Sequence, residues 1–131
     1  MKVVILTALA LFVAGCSSPR TSDYLDAGTT VVALAGGAVE ANPIFGIADN
    51  NPVGTGVAVL AAKTVGRTVV DQVVPEDQRE QAHHTIDSFS VGAACNNVGV
   101  IAGISNPVAV GLVCGLAYYV AKSPARSAQN S

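Results

Sequence analysis

Apolar residues run along this chain in long blocks interrupted by a few sharp polar or proline signals, and the blocks lack the strict alternation of half-buried strands. The pattern predicts helices. The first is capped by Ser22 or Asp23 and runs without proline from Leu25 to Ala41, although Gly28, Gly36 and Gly37 weaken it. It stops at Asn42-Pro43, because the residue before a proline is pushed out of the helical region. Ile44 to Asn51 reads as a turn-rich loop. Asn51-Pro52 then supplies a cap and a proline at the first helical position, opening a second helix that ends near Val74 and Pro75. Glu76 and Asp77 form an acidic first turn for a third helix that continues to about Ile104. Ser105-Asn106-Pro107 repeats the stop and restart, and a shorter fourth helix reaches about Lys122. The expected fold is therefore all-α: a bundle of three main helices and a shorter C-terminal one over residues 23–122. Residues 123–131 form a small polar tail expected to be disordered.

Charges fall on stripes of these helices. Asp26 and Glu40 lie within about 40° of each other on the first helix, and Lys63, Arg67 and Asp71 follow at four-residue steps on the second. His83, Asp87 and Asn97 share about 80° of the third. If the first two helices are antiparallel, the one ending near Ala41 and the other beginning near Pro52, Asp26 shares a depth with Arg67; with the second and third joined around Pro75, Lys63 shares a depth with Asp87, and His84 comes near Arg67. The expected polar network is thus Asp26, Glu40, Lys63, Arg67, His84, Asp87 and Asn97. Two readings of it stay open: an ion-pair network that sets helix register, or a proton, ion or substrate site.

Composition narrows the setting. Half of the residues are hydrophobic and only 12% are charged, against about a quarter in an ordinary soluble domain. Such a chain lives against lipid or packs tightly on itself. The net charge of −2 and the absence of a basic stripe argue against nucleic acid as a partner. The uncharged run from Ser88 to Ala121 is about 34 residues, enough for one long span or a hairpin, whereas the uncharged cores 27–39 and 50–62 are short for clean spans. Gly99-x-x-x-Gly103 and Gly111-x-x-x-Gly115 have the spacing that lets helices approach closely in lipid, and they tilt the reading towards a membrane-embedded bundle over a soluble one.

The N-terminal stretch resembles the signal segment of bacterial lipoproteins. Met1-Lys2 is a short positive start, Val3 to Ala14 an apolar run, and Val13-Ala-Gly-Cys16 a lipobox. The resemblance implies cleavage between Gly15 and Cys16, acylation of Cys16, and anchoring of residues 16–22 as a tether to membrane lipid. The body resembles a domain-of-unknown-function family of small polytopic bacterial membrane proteins. Asp26-Ala-Gly-Thr29-Thr30, Glu40-Ala-Asn42-Pro43, Lys63 and Asn96-Asn97 carry that likeness, over roughly Asp26 to Val98. It brings no activity or cofactor. A looser likeness, to glycine-zipper lipoproteins of the envelope, rests on the lipobox and the glycine spacings.

Cys95 and Cys114 remain once Cys16 is assigned to lipid, and neither lies in a zinc-type cluster. A tight turn at 104–107 would place them at equal depth on facing helices. Packed helix axes are usually about 8 Å or more apart, so the expectation is two reduced, buried cysteines acting as small packing residues. His83 and His84 point about 100° apart and do not suit one metal. A triad of Ser88 or Ser90 with His84 and Asp87 can be drawn on one helix, but no established catalytic motif accompanies it. No enzyme and no cofactor are expected. The function expected is a lipid-anchored envelope component with a structural or interaction role, packing with itself or a membrane partner; the alternative is a small transport or ion-handling module. Ser17 after the lipobox cysteine suits export to the outer membrane, while polar helical spans favour retention in the cytoplasmic membrane, which is the site expected.

Overall fold

In the computed structural model, residues 18–39 and 51–123 are described, and they form four α-helices and no strand. They are α1 (Thr21–Ala35), α2 (Pro52–Val73), α3 (Glu76–Ile101) and α4 (Pro107–Lys122). The starts of α2 and α4 obey the Asn-Pro signals: Asn51 Oδ1 accepts from the Gly54 N–H at 3.0 Å, and Asn106 Oδ1 from the Ala109 N–H at 3.1 Å. Each carboxamide satisfies a backbone donor that the first helical turn leaves unpaired. At the N-terminus of α1, Arg20 occupies the cap, and its own N–H donates to Asp23 Oδ2 at 2.9 Å. The helix therefore begins before Ser22 and Asp23, which lie inside it rather than capping it.

Two helix ends differ from expectation for one reason. α1 stops at Ala35, before Asn42-Pro43, and α3 stops at Ile101, short of Ile104. In each a glycine with positive φ, Gly37 at 94° and Gly103 at 69°, follows the last turn. The two residues there donate back to carbonyls of that turn, Gly37 to Leu34 and Ala38 to Ala33, Gly103 to Val100 and Ile104 to Gly99. This closure satisfies orphan carbonyls and needs a left-handed residue, which glycine supplies at little cost. Gly103 is thus a turn residue and not part of a packing stripe.

Among the described helices α1 packs on α2 and α3, α2 also meets α3, and α4 packs on α3 alone. The α3–α4 hairpin is held by backbone approach. A Cβ added at Gly111 would fall 2.7 Å from the Gly92 carbonyl oxygen, and one at Gly115 would fall 2.9 Å from that of Ser88. Gly99 faces Pro107 in the same way. Cys95 and Cys114 sit here with Cα atoms 6.4 Å apart and are joined as a disulfide, so the expectation of reduced thiols is overturned. Generic helix spacing misled because the glycines let these two backbones come closer than packed helices with ordinary side chains.

The bundle has a polar inside and an apolar outside. Among the described residues the buried hydrophobic ones are Ala27, Ala33, Val59 and Ala94, all small or medium. Buried polar residues are more numerous and include Asp23, Asp26, Arg67, His83, His84, Asp87 and Ser90. Phe89 is 72% exposed and Val120 75%, and Leu112, Val113 and Leu116 also face outward. One described helix, Pro52–Val73, is long and apolar enough to cross a membrane; Pro107–Lys122 is apolar but shorter.

Candidate functional site

The polar interior is built where α1, α2 and α3 meet. The helical period places Ser22, Asp23, Asp26 and Thr30 on the buried face of α1. Lys63 and Arg67 follow one another on α2, and His83, Asp87, Ser90 and Asn97 run as a seam along α3. Arg67 is fully buried and lies at the centre. Its Nε donates to Asp23 Oδ2 at 2.7 Å, and its Nη2 donates to Asp23 Oδ1 at 2.9 Å and Asp87 Oδ1 at 2.6 Å. The two-pronged contact with Asp23 exploits the planar guanidinium, which a lysine could not reproduce. Ser22 Oγ donates to Asp87 Oδ1 at 2.6 Å and Ser90 Oγ to Asp23 Oδ1 at 3.1 Å, so both carboxylates receive further donors.

A second level lies about one helical turn further from Arg20. Lys63 Nζ reaches Asp26 Oδ2 at 3.1 Å and donates to Ser90 Oγ at 3.0 Å. Beyond it Asn97 Nδ2 donates to the Thr30 hydroxyl at 2.9 Å and the Thr29 hydroxyl at 3.3 Å. Towards the other end, Arg20 donates to Asp87 Oδ2 at 3.0 Å and pairs with Glu80 at 3.2 Å. The Arg20 hydrogen bonds hold the Glu80 carboxyl below the ordinary glutamate range, and Glu80 in turn raises Arg20.

The residues expected to meet do share one interior, with exchanged partners. Arg67 binds Asp23 and Asp87 rather than Asp26, and Lys63 binds Asp26 rather than Asp87. The register shifts because α1 ends at Ala35, six residues short of the expected Ala41, so that 16 residues separate it from α2. His84 is not beside Arg67: its Nε2 lies 2.9 Å from the Tyr119 carbonyl, and its ring stacks on Tyr118 and Tyr119 of α4. Its neighbour His83 takes the α2 side, with Nε2 2.7 Å from Asp71 Oδ1. Gly99, Gly111 and Gly115 line the α3–α4 contact, while Glu40, Gly15 and Cys16 lie outside the described residues. Asp23, Ser22, Ser90 and Arg20 are the members that sequence reasoning missed. Asp23-x-x-Asp26-x-x-x-Thr30 is itself a helical stripe and was the available signal.

Among the described residues, no group of three or more His, Cys, Asp or Glu side chains is placed to hold a metal ion. Ser88 Oγ donates to the His84 backbone carbonyl at 2.9 Å and Ser90 Oγ to Asp23, so neither hydroxyl donates to a histidine ring that could activate it. What the arrangement does chemically is compensate charge. Asp23, Asp26 and Asp87 face Arg20, Lys63 and Arg67 in one connected set. No family model, curated protein or solved structure matches the chain.

Proposed function

We propose that this chain is a lipid-anchored component of the bacterial envelope whose helical body is seated in the cytoplasmic membrane from its outer face and serves a structural or interaction role. The single observation that carries the reading is the inverted distribution of polarity: charged side chains at the centre, large apolar ones outside. In water that arrangement forfeits most of the hydrophobic driving force, whereas lipid favours ionisable groups that face inward and pair, as Asp23, Asp26, Lys63, Arg67 and Asp87 do. The lipobox supports the anchor, since Cys16 precedes Arg20 by only four residues. Anchoring there would put Arg20, Glu76 and Glu80 at the membrane surface. α3, about 39 Å long at 1.5 Å per residue, would carry the turn between α3 and α4 to the far side of the hydrocarbon core. α1 and α4, about 22–24 Å long at 1.5 Å per residue, are shorter than a hydrocarbon core of roughly 30 Å, so the body enters the bilayer without every helix crossing it. The Cys95–Cys114 disulfide agrees with passage through an oxidising compartment.

Charge closure in the Arg67 set favours a register-setting network over transport, because an ion path needs a group that can release its partner. The experiment is Cys16→Ser, followed by fatty-acid labelling, precursor processing and membrane fractionation. Loss of label with accumulation of unprocessed precursor is expected. A variant that matches the parent in label and processing contradicts the anchor.

A further inference from the structure

At the charged end of the bundle a cavity of about 520 Å³ opens beside the entry to α1 and the α2–α3 corner. A water molecule occupies about 30 Å³ of liquid, so the space suits a group of headgroup size. Two residues on its lining each hold a buried nitrogen without a hydrogen-bond partner, Arg67 Nη1 and His83 Nδ1. Both side chains are more than nine-tenths buried. The two nitrogens have opposite needs. Arg67 Nη1 can only donate. His83 Nε2 lies 2.7 Å from an Asp71 carboxylate oxygen, which only accepts, so Nε2 carries the hydrogen, and with the ring neutral Nδ1 is left as an acceptor. Leaving such groups unpaired is costly, and a ligand of matching pattern that reached them would recover the cost.

The walls repeat that duality. Arg79 is fixed by its Nε, which donates to the Val74 carbonyl at 2.9 Å, and its two terminal nitrogens make no hydrogen bond to a described residue. Glu76 stands on the same cavity, in the first turn of α3. Counting all ionised side chains on the lining, three guanidiniums meet three carboxylates. A simple anion would have to lie against Asp71, Glu76 and Glu80, and a simple cation against Arg20, Arg67 and Arg79. Neither fits a balanced wall. A ligand carrying both charges does.

We propose that this cavity binds a zwitterion bearing a phosphate-type oxyanion and a primary ammonium, the chemistry of an ethanolamine phosphate group, with Arg67 and Arg79 on the oxyanion and His83 and Glu76 on the ammonium. The chemical class rests on the cavity alone. That the group comes from a membrane phospholipid rests on the proposed anchoring, which would hold Ser18, another lining residue, two positions from the acylated Cys16.

The test uses the full chain purified in detergent and titrated calorimetrically with O-phosphoethanolamine, phosphocholine and inorganic phosphate. O-phosphoethanolamine should bind, and the other two at least about tenfold more weakly, since each lacks a hydrogen-bonding ammonium worth about 1.5–3 kcal/mol against a charged partner. Arg79→Gln and Glu76→Gln, both outside the Arg67 ion pairs, should each weaken it by about tenfold or more on the same basis. Mass spectrometry of the chain extracted from phosphatidylethanolamine or phosphatidylcholine bilayers separates the sources. A retained phosphatidylethanolamine adduct supports the lipid headgroup, and binding of O-phosphoethanolamine without an adduct supports a soluble ligand in the same site. No binding of any probe overturns the proposal, as does equal binding of phosphocholine or phosphate by the parent chain. A failure of Cys16 acylation would leave the O-phosphoethanolamine titration unchanged, so the two readings fail separately.

Discussion

The two faces of α3 are held by different physics. Towards α1 and α2 it presents His83, Asp87, Ser90 and Asn97, and side-chain charge and hydrogen bonding join the helices. Towards α4 it presents Gly92, Cys95 and Gly99, and there the backbones nearly touch and a disulfide links them. In the first region the contact is specific because few arrangements pair every charge. In the second it is specific because few residues fit at all. Neither region relies on large buried hydrocarbon side chains, which are found on the outside of the molecule instead.

Breaking the ionic side should have the largest effect. Arg67→Met strands Asp23 and Asp87 in the interior, and loss of one partner of such a buried pair costs about 3–5 kcal/mol. Chemical denaturation in detergent should register it. The comparison sharpens if Asp23→Leu and Asp87→Leu are added, because replacing a buried charged triad by apolar residues is often near neutral. A triple variant as unstable as Arg67→Met would mean that the charges do more than compensate one another.

On the α4 side, Cys95→Ser with Cys114→Ser opens a loop of 19 residues' separation. The chain-entropy account of such a loop gives a loss of about 3 kcal/mol, read as a lower unfolding midpoint that reducing agent no longer changes. Smaller again is Gly111→Ala, whose new methyl would meet the Gly92 carbonyl at 2.7 Å and push the helices apart. Overpacking of this kind costs about 1–3 kcal/mol. Its signature is slower reoxidation of Cys95 with Cys114 after reduction, an effect the Arg67 variant should not share.

The starts of α2, α3 and α4 were legible because Asn51-Pro52, Pro75-Glu76 and Asn106-Pro107 are local signals whose physics lies within one turn. The ends of α1 and α3 were not, since Gly37 and Gly103 are equally tolerable as weak helical residues and as left-handed caps, and only closure of the chain decides; α2 and α4 end where expected. The polar stripes of α2 and α3 were legible through their period, but which acid meets which base depends on axial register. An early end to α1 moved that register by about one turn, handing Arg67 to Asp23 and Lys63 to Asp26. His84 faces α4 and leaves the α2 side to His83, as adjacent helical positions diverge by about 100°. The disulfide was hidden by the use of a generic helix spacing where Gly92, Gly111 and Gly115 permit a shorter one.

The central claim, that the apolar exterior sits in lipid with the charged end at its surface, is tested most directly by cysteine accessibility in intact membranes. Asp77→Cys at the start of α3 and Ser105→Cys in the turn before α4 are both exposed in the isolated molecule. With a membrane-impermeant maleimide added from the extracytoplasmic side, Asp77→Cys should label readily, and Ser105→Cys should label only after detergent is added. Equal labelling of the two positions without detergent would contradict the account, placing the whole body in water and leaving its apolar exterior to be covered by protein.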